Sequence, residues 1–462
     1  MIRRWITHRK LRSFRSVSRV SLWFETRLTP LGRIIFGAAF AAAVFGIDPN
    51  QTFALQLAAG LFSILTVAML LSIRWRPKIT VSRIVPDTVT VDHPTSYSVS
   101  IRNNGDKPEV DLVLADFLKF QYPLVDDFRR ATISQRDQST NWFDRIVGFP
   151  RWLALVRRSR GARLEALDLP TIPPHTTVNV GFAFQSLRRG KLVFTHLEVR
   201  RPDPLGIFLA THRIACYGEL VSLPKRYPTP RLDWNSHRHF HRGGLTQVAT
   251  VGDSEEFVGL REYRPGDPLR HIHWRSFAKR GTPVVKEHQD EYFDRHALLI
   301  DTFLGDASDT EFETAVSIAA SFILSERPTD SILDLVFIDR KVWRLTTGRG
   351  LSNNRQVLVQ LAELHPSQND DFDRLAAYLG RYLERLASVI IVATTWDDTR
   401  QTFVNELQQR GLRCLVLRAG DSERVPAGAH ASAEPPDLNT VRPSFVTEDI
   451  ARITLAAGRV TR

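Results

Sequence analysis

From Phe53 to Ile73 the chain runs 21 residues without a charge. As a helix that run is about 31 Å long, the thickness of a bilayer's hydrocarbon core. It is the feature that most limits what the chain can become, because the rest must be arranged around a segment built for lipid. Upstream, Ile34–Ile47 holds 14 uncharged residues and reaches back to Leu28 only across Arg33. A long arginine stem can carry its charge out to the headgroups, so this stretch is also expected to span. Asp48-Pro49-Asn50-Gln51-Thr52 would join the two, making 34–73 a transmembrane helical hairpin that contacts membrane lipids.

Charge sets the orientation. Residues 1–33 hold nine Lys/Arg against the single acid Glu25. Arg15, Arg19, Arg27 and Arg33 precede the hairpin, Arg74, Arg76, Lys78 and Arg83 follow it, and its turn has none. Positive residues stay on the cytoplasmic side, so the basic N-terminus 1–33 and the soluble part are expected there. A cleaved signal peptide fits poorly, since the apolar run starts about thirty residues in and a second follows at once. Cys216 and Cys414 are too isolated for a disulfide framework, which suits a reducing compartment. The net charge of +12 alone would permit nucleic-acid binding, but the arginines crowd the membrane boundary and no nucleic-acid partner is expected.

After the hairpin, residues 79–224 read as a β-sandwich. Val89 and Val91, then Tyr97, Val99 and Ile101, alternate with polar residues; Asn104-Gly105 marks a hairpin, and Val178, Val180, Phe182 and Phe184 resume the pattern. Inside lies a basic amphipathic insertion, 126–165, with nine arginines among Trp142, Phe143, Phe149, Trp152, Leu153 and Val156. Two readings stay open for it: lying on the anionic leaflet, or packing an apolar face on the sandwich. Residues 225–251 form a polar connector in which His237, His239 and His241 are spaced as on one side of an extended strand. Asp233 is the sole carboxylate from Arg231 to Gly244, so a connector is preferred to a metal site.

From 289 to 420 the pattern is α/β. Ala297–Ile300 is a continuous apolar strand ending in Asp301, and Ser308 with Glu311 makes a capping box before a helical stripe. Ile332–Ile338 reads as a strand with Val342–Leu345 as its hairpin partner, followed by helices near 353–364 and 371–386. Val389–Ala393, a helix to Arg410, the stop Gly411 and the strand Leu412–Leu417 complete a parallel-type sheet covered on both faces. Residues 421–462 are a linker with a short helix near 447–457.

Between sandwich and α/β region, residues 252–288 concentrate charge and aromatics. Pro265-Gly266 is a turn, Asp267 an N-cap, Pro268 the first helical residue, and Gly281 the stop after Lys279-Arg280, predicting a helix over 268–280. The ordered string Phe257, Val258, Gly259, Leu260, Arg261, Glu262, Tyr263, then Pro265, Gly266, Asp267, then Arg270, Ile272, His273, Trp274 and Ala278-Lys279-Arg280 resembles the signature of a bacterial family, domain of unknown function 58. Arg189-Gly190 and Asp203-Pro204-Leu205-Gly206-Ile207-Phe208 fit it too, so the resemblance covers roughly residues 80–310. The resemblance implies a von Willebrand factor A-like C-terminal domain, a place in the inner membrane and a MoxR-type AAA+ ATPase as partner.

A von Willebrand factor A-like metal site begins Asp-x-Ser-x-Ser at the end of the first strand. Here the sequence is Asp301-Thr302-Phe303-Leu304-Gly305. A phenyl ring offers no oxygen to a hard cation, so Asp301, Thr394, Thr395 and Asp397 are degenerate adhesion-site positions, with Asp301 capping its loop instead. No phosphate cradle, GxGxxG, HExxH or GxSxG is present, and no cofactor or catalytic residue is nominated. Phe257, Leu260, Ile272 and Trp274 are expected to pack while Arg261, Glu262, Asp267 and Arg270 tie the turn by ion pairs. The alternative is that these charged residues and His273 form a docking surface or an enzyme site. The functional expectation is a non-enzymatic membrane-anchored adaptor; the alternative is an uncharacterised enzyme or metal-dependent binding protein with its site in 252–288 or at Asp301.

Overall fold

The computed structural model describes residues 2–46, 52–125, 128, 148–229, 257–264, 269, 272–288, 294–305, 307–325, 331–339, 341–348, 354–420, 438–441, 446 and 449. The chain divides into two compact units: residues 1–226 with 307–320 and 358–365, and residues 227–306 with 321–357 and 366–462.

The first unit begins with three helices, α1 (Ile2–Arg27), α2 (Pro30–Phe45) and α3 (Thr52–Arg74). Thr29 caps α2, its side chain accepting from Gly32 N with Pro30 at the first position. The cap fixes the start of the upstream apolar segment, and at 16 residues α2 falls short of the roughly 20 needed to span. Among the described residues, α3 is the one helix long and apolar enough to cross a membrane. Phe53, Leu55, Leu70 and Ile73 on it are all more than half exposed.

Two sheets follow, ordered β1-β3-β7-β5 and β2-β9-β8-β4-β6. The first is built from β1 (Ile79–Ile84), β3 (Pro94–Asn103), β7 (Thr177–Ser186) and β5 (Ala162–Leu164); the second from β2 (Thr88–Thr90), β9 (Leu209–Leu223), β8 (Gly190–Pro202), β4 (Val113–Leu118) and β6 (Leu167–Asp168). Tyr97, Val99, Ile101, Phe182 and Phe184 from one meet Leu114, Leu192, Phe194, Leu197 and Val199 from the other in one core. The alternation read from the sequence is the alternation of inward and outward side chains.

This core also contains charge. Arg83 on β1 grips Asp116 on β4, Nε to Oδ2 at 3.0 Å and Nη2 to Oδ1 at 2.6 Å, while its Nη1 donates to the Cys216 carbonyl at 2.7 Å. The Tyr97 hydroxyl donates to the same carboxylate. Both members of the ion pair have fully buried side chains, so the pair crosses from one sheet to the other in a dry interior. Burial pushes the Asp116 carboxyl up, against the charge of Arg83, and pushes the Tyr97 phenol up as well. A second cluster sits on β8 and β9: Glu198 accepts from Arg200 Nη2 at 2.8 Å and from Arg213 Nε at 2.8 Å.

The turn between β8 and β9 is the Asp203–Phe208 string. Asp203 Oδ1 accepts from the backbone of Ile207 (2.6 Å) and Phe208 (2.8 Å), and Gly206 takes φ +67°. The turn meets the foot of α2: Thr29 N donates to the Ile207 carbonyl, and Leu28 bridges Phe208 in antiparallel fashion. A Cβ on Gly32 would lie 2.2 Å from the Ile207 oxygen, so glycine is required there. Arg189 is held within the same unit by the carbonyls of Leu361 and Leu364, by Glu313, and by the Phe312 ring at 5.1 Å.

The basic insertion is described from Gly148 onward. Phe149–Arg160 forms α4, whose N-terminal proline and αL glycine at Gly161 define its ends. Its apolar side faces α1, with Trp152 and Val156 buried against Leu11 and Trp152 Nε1 donating to Ser18 Oγ at 2.9 Å. Trp152 also stacks on Tyr122, ring centroids 6.0 Å apart, so this apolar side is shared between α1 and the chain that follows β4. Trp142 and Phe143 lie outside the described residues, as do His237, His239 and His241.

The second unit is organised on a six-stranded sheet, order β14-β13-β12-β15-β16-β17. Strands β12 (Asp294–Ile300), β13 (Ser331–Asp339), β15 (Ser388–Ala393), β16 (Arg413–Ala419) and β17 (Leu438–Val441) are parallel; β14 (Lys341–Gly348) pairs antiparallel with β13 as a hairpin. Ala297, Leu298, Leu299 and Ile300 are all 0% exposed, so both faces of β12 are covered, the burial a continuous apolar strand demands. The capping box at the head of α6 (Asp309–Leu324), in the part of that helix that belongs to the first unit, is formed, with Ser308 N donating to the Glu311 carboxylate and Glu311 N to Ser308 Oγ. Helix α7 (Asn354–Glu363) follows in sequence, its residues 358–363 also in the first unit. The expected helix 371–386 is instead α8 (Phe372–Gly380) and a 3₁₀ turn at Leu383–Arg385. Helix α9 (Asp398–Gln409) ends before Gly411 at φ +72°. Strand β17 falls in the stretch read as linker, and the helix expected near 447–457 lies almost wholly outside the described residues.

Candidate functional site

In open parallel sheets ligands bind beyond the carboxyl ends of the strands, and here that edge is closed by an arginine. Arg400, on the first turn of α9, is buried with a side chain 1% exposed. Its Nε donates to Asp301 Oδ2 at 2.7 Å, and its Nη2 and Nη1 donate to Asp370 at 3.0 and 3.2 Å. Nη1 also donates to Asp397 Oδ2, while Asp397 Oδ1 caps α9 by accepting from Arg400 N at 3.0 Å. One guanidinium thus collects three carboxylates. The Phe372 and Phe303 rings lie 4.7 and 5.5 Å from its central carbon.

The two departures from the Asp-x-Ser-x-Ser pattern each have a local reason. Phe303 presents a ring to a guanidinium, a favourable contact for a flat cation and a useless one for Mg²⁺. Gly305 adopts φ +52° where a Cβ would meet Thr395 Cγ2 at 2.8 Å. The residues present therefore fit an internal guanidinium and do not fit a divalent metal at the same point. Among the described residues no group of three or more His, Cys, Asp and Glu is placed to hold a metal.

Asp301 does cap its loop, Oδ1 accepting from Phe303 N at 3.0 Å. Thr394 Oγ1 donates to the Phe303 carbonyl at 2.7 Å, which spends it on the loop. Thr395 Oγ1 is buried without a hydrogen-bond partner among the described residues. Burial pushes the Asp301 carboxyl up, with Arg400 opposing. Burial works against the Arg400 charge too, but Asp370, Asp301 and Asp397 outweigh it and raise its pKa. Arg400 and Asp370 were missed in the sequence. The available signal was Phe303 itself, an aromatic side chain where a metal site would have an oxygen.

The motif segment is a second place of interest. Phe257–Glu262 forms β10, antiparallel to β11 (Val284–His288), with Leu260 opposite Lys286 and Glu262 opposite Val284. A register shift lies between Phe257 and Gly259, and Tyr263 N donates to the Pro283 carbonyl at 3.0 Å. The expected helix over 268–280 is α5 (Trp274–Arg280), seven residues long. It starts later because Ile272 bridges Val285 and His273 N donates to the Val284 carbonyl at 2.8 Å. His273 therefore precedes the helix, its Nδ1 2.7 Å from Ser276 Oγ. Ile272 is buried as expected, but Trp274 is 62% exposed and Leu269 65%. Arg261 Nη1 donates to the Glu262 carbonyl at 3.2 Å, while Pro265, Gly266, Asp267 and Arg270 lie outside the described residues.

Residues 259–423 match the family model described as protein of unknown function DUF58, a span displaced toward the α/β region from the 80–310 expected. The uncharacterised protein YeaD of Bacillus subtilis (strain 168) is 25% identical over 236 residues, 50% of this chain and 57% of YeaD, so the chain matches little more than half of that relative's length. Among solved structures, the CARDB domain of a Pyrococcus furiosus protein in complex with di-metal ions is 13% identical, covering 30% of this chain and 93% of its own at a TM-score of 0.16. AvmM, which catalyses macrocyclization in alchivemycin A biosynthesis, is 12% identical, covering 32% and 89% at a TM-score of 0.19. At these scores neither likeness bears on fold or chemistry.

Proposed function

Given that the chain is a member of the DUF58 family, we propose that it is a membrane-anchored docking platform for another protein. In this reading α3 and the stretch 28–47 that contains α2 form the anchoring hairpin in a bacterial inner membrane, with both termini and the two soluble units on the cytoplasmic side. The Lys/Arg residues on both outer flanks of 34–73 support that orientation. The second unit acts as a von Willebrand factor A-like module that binds without a metal, since Arg400 stands at the strand ends. The partner is a MoxR-type AAA+ ATPase, which would supply the nucleotide hydrolysis for assembly or maturation of envelope components.

The observation that carries the reading is Trp274. A tryptophan 62% exposed at the centre of the family motif, beside exposed Arg275, Lys279 and Arg280, is spent on something other than the fold. Aromatic and arginine residues presented together on a surface are the composition of interaction hot spots. The test is recovery of the tagged, detergent-solubilised chain from its own cells with and without ATP, beside Trp274→Ala. Nucleotide-sensitive co-elution of an AAA+ ATPase, lost in the variant, is expected. Recovery of the chain alone after mild cross-linking would overturn the reading.

A further inference from the structure

We propose that α1 lies along the anionic phospholipid surface of the membrane, its outer face seated among the headgroups. This rests on the reading of α2 and α3 as a membrane anchor and adds where, and on which lipids, the chain touches the surface.

The two faces of α1 are spent differently. The inner face is protein-bound: Leu11 is 2% and Ser18 4% exposed, Phe14 meets Phe149 edge-on at 5.4 Å, and Arg15 Nη2 donates to the Pro123 carbonyl at 3.0 Å. The opposite face exposes Val17 (51%), Val20 (55%) and Trp23 (46%), with Arg9 and Arg12 exposed on the same helix and Arg19 at its edge, over the Tyr122 ring. Successive positions 17, 20 and 23–24 fall on one side of a helix, so these apolar residues form a stripe. Glu25 is the one acid in the whole helix.

An apolar stripe with a tryptophan, bordered by arginines, is the pattern of a helix lying in a membrane interface. Three connections select lipid as the occupant. The stripe runs on into α2, where Leu31 is 51% and Ile34 69% exposed, so the surface is continuous with the anchor. Phe24 packs on Phe36 of α2 at 4.9 Å, and Leu28 and Thr29 alone separate the two helices, so the C-terminal end of α1 is fixed at the foot of the anchor. The basic residues around it suit the negative potential of a cytoplasmic leaflet. The composition of α4 looks the same, yet its Trp152 is 0% exposed and serves as part of the bed on which α1 rests.

The experiment uses the full chain carrying Cys216→Ser and Cys414→Ser, spin-labelled at Val20→Cys and placed in nanodiscs of phosphatidylcholine with or without phosphatidylglycerol. Labels at Leu70→Cys on α3 and Tyr217→Cys on the sandwich serve as lipid and water references. The expected result is a Val20 label accessible to oxygen and shielded from a water-soluble nickel chelate in the discs containing phosphatidylglycerol. With Leu70 in lipid, a nickel-accessible Val20 overturns the proposal and leaves the anchor standing. Shielding from both reagents assigns the face to protein and also overturns it, and equal depth without phosphatidylglycerol removes the requirement for anionic lipid. A Leu70 label open to nickel overturns the anchor itself.

Discussion

The charge clusters of the sandwich and of the α/β strand ends combine acid and base in different proportions. In the sandwich, one carboxylate meets one or two arginines: Asp116 with Arg83, Glu198 with Arg200 and Arg213. At the strand ends of the α/β sheet, one arginine meets three carboxylates. The Arg83–Asp116 pair is wholly interior and fastens one sheet to the other. In the Arg400 cluster Asp301 is interior, while the side chains of Asp370 and Asp397 are 39% and 43% exposed. The first is charge consumed inside the fold. The second keeps loop ends shut while its surplus of negative charge reaches water. A buried ion pair is poor evidence for stability by itself, so the contrast has to be tested by removing partners one at a time.

The largest effect is expected from Arg83→Ala. It strands Asp116 between two sheets, and losing one partner of a buried pair costs on the order of 3–5 kcal/mol. Chemical denaturation of the detergent-solubilised chain should show the sandwich transition moved sharply or gone. Arg400→Ala should cost about 3 kcal/mol, the low end of that range, because Asp370 and Asp397 can turn to water. Asp301→Asn in the same chain should recover part of the loss, and a double-mutant cycle reads that coupling directly. Equal losses for both arginines, with no recovery, would erase the distinction between the clusters.

Tyr97→Phe removes a hydrogen bond to a carboxylate and should cost about 2 kcal/mol, read from the same chemical denaturation curves. Asp370→Asn should change stability by less than about 1 kcal/mol, since a part-exposed partner is screened by solvent. The smallest effect is a pH dependence. Burial pushes Glu198 up, but Arg200 and Arg213 bring it below the ordinary glutamate value. A carboxylate depressed in the folded state adds stability above its unfolded pKa of about 4.3 and loses it as pH falls through the lower, folded value. Glu198→Gln should therefore flatten the acid limb of the stability profile below about pH 4.3 and lower stability at neutral pH.

Much of the α/β sheet was legible because its strands are continuous apolar runs, a pattern set by burial on both faces. The capping box at Ser308 and Glu311 was legible for a local reason, since four residues contain all of its chemistry. Helix α5 was not. Pro-Gly-Asp-Pro is a good helix start by local rules and lies outside the described residues, while the bridge from Ile272 to Val285 sets the start of the described helix at Trp274. That is tertiary pairing overriding propensity. Both the segment around Trp23 and that around Trp152 are basic and carry a tryptophan, and composition does not say which helix has a protein neighbour. The Arg400 cluster was hidden by distance, its guanidinium and Asp301 lying 99 residues apart in the chain.

Gly32 has a mechanical consequence. With the helix backbone pressed onto the Ile207 carbonyl, and Thr29 and Leu28 bonded across the same junction, there is no slack at the foot of α2. A side load on the sandwich cannot be absorbed there by a hinge. It is delivered to α2 as torque, and the helix and the β8–β9 turn must tilt together, like a mast stepped into a deck.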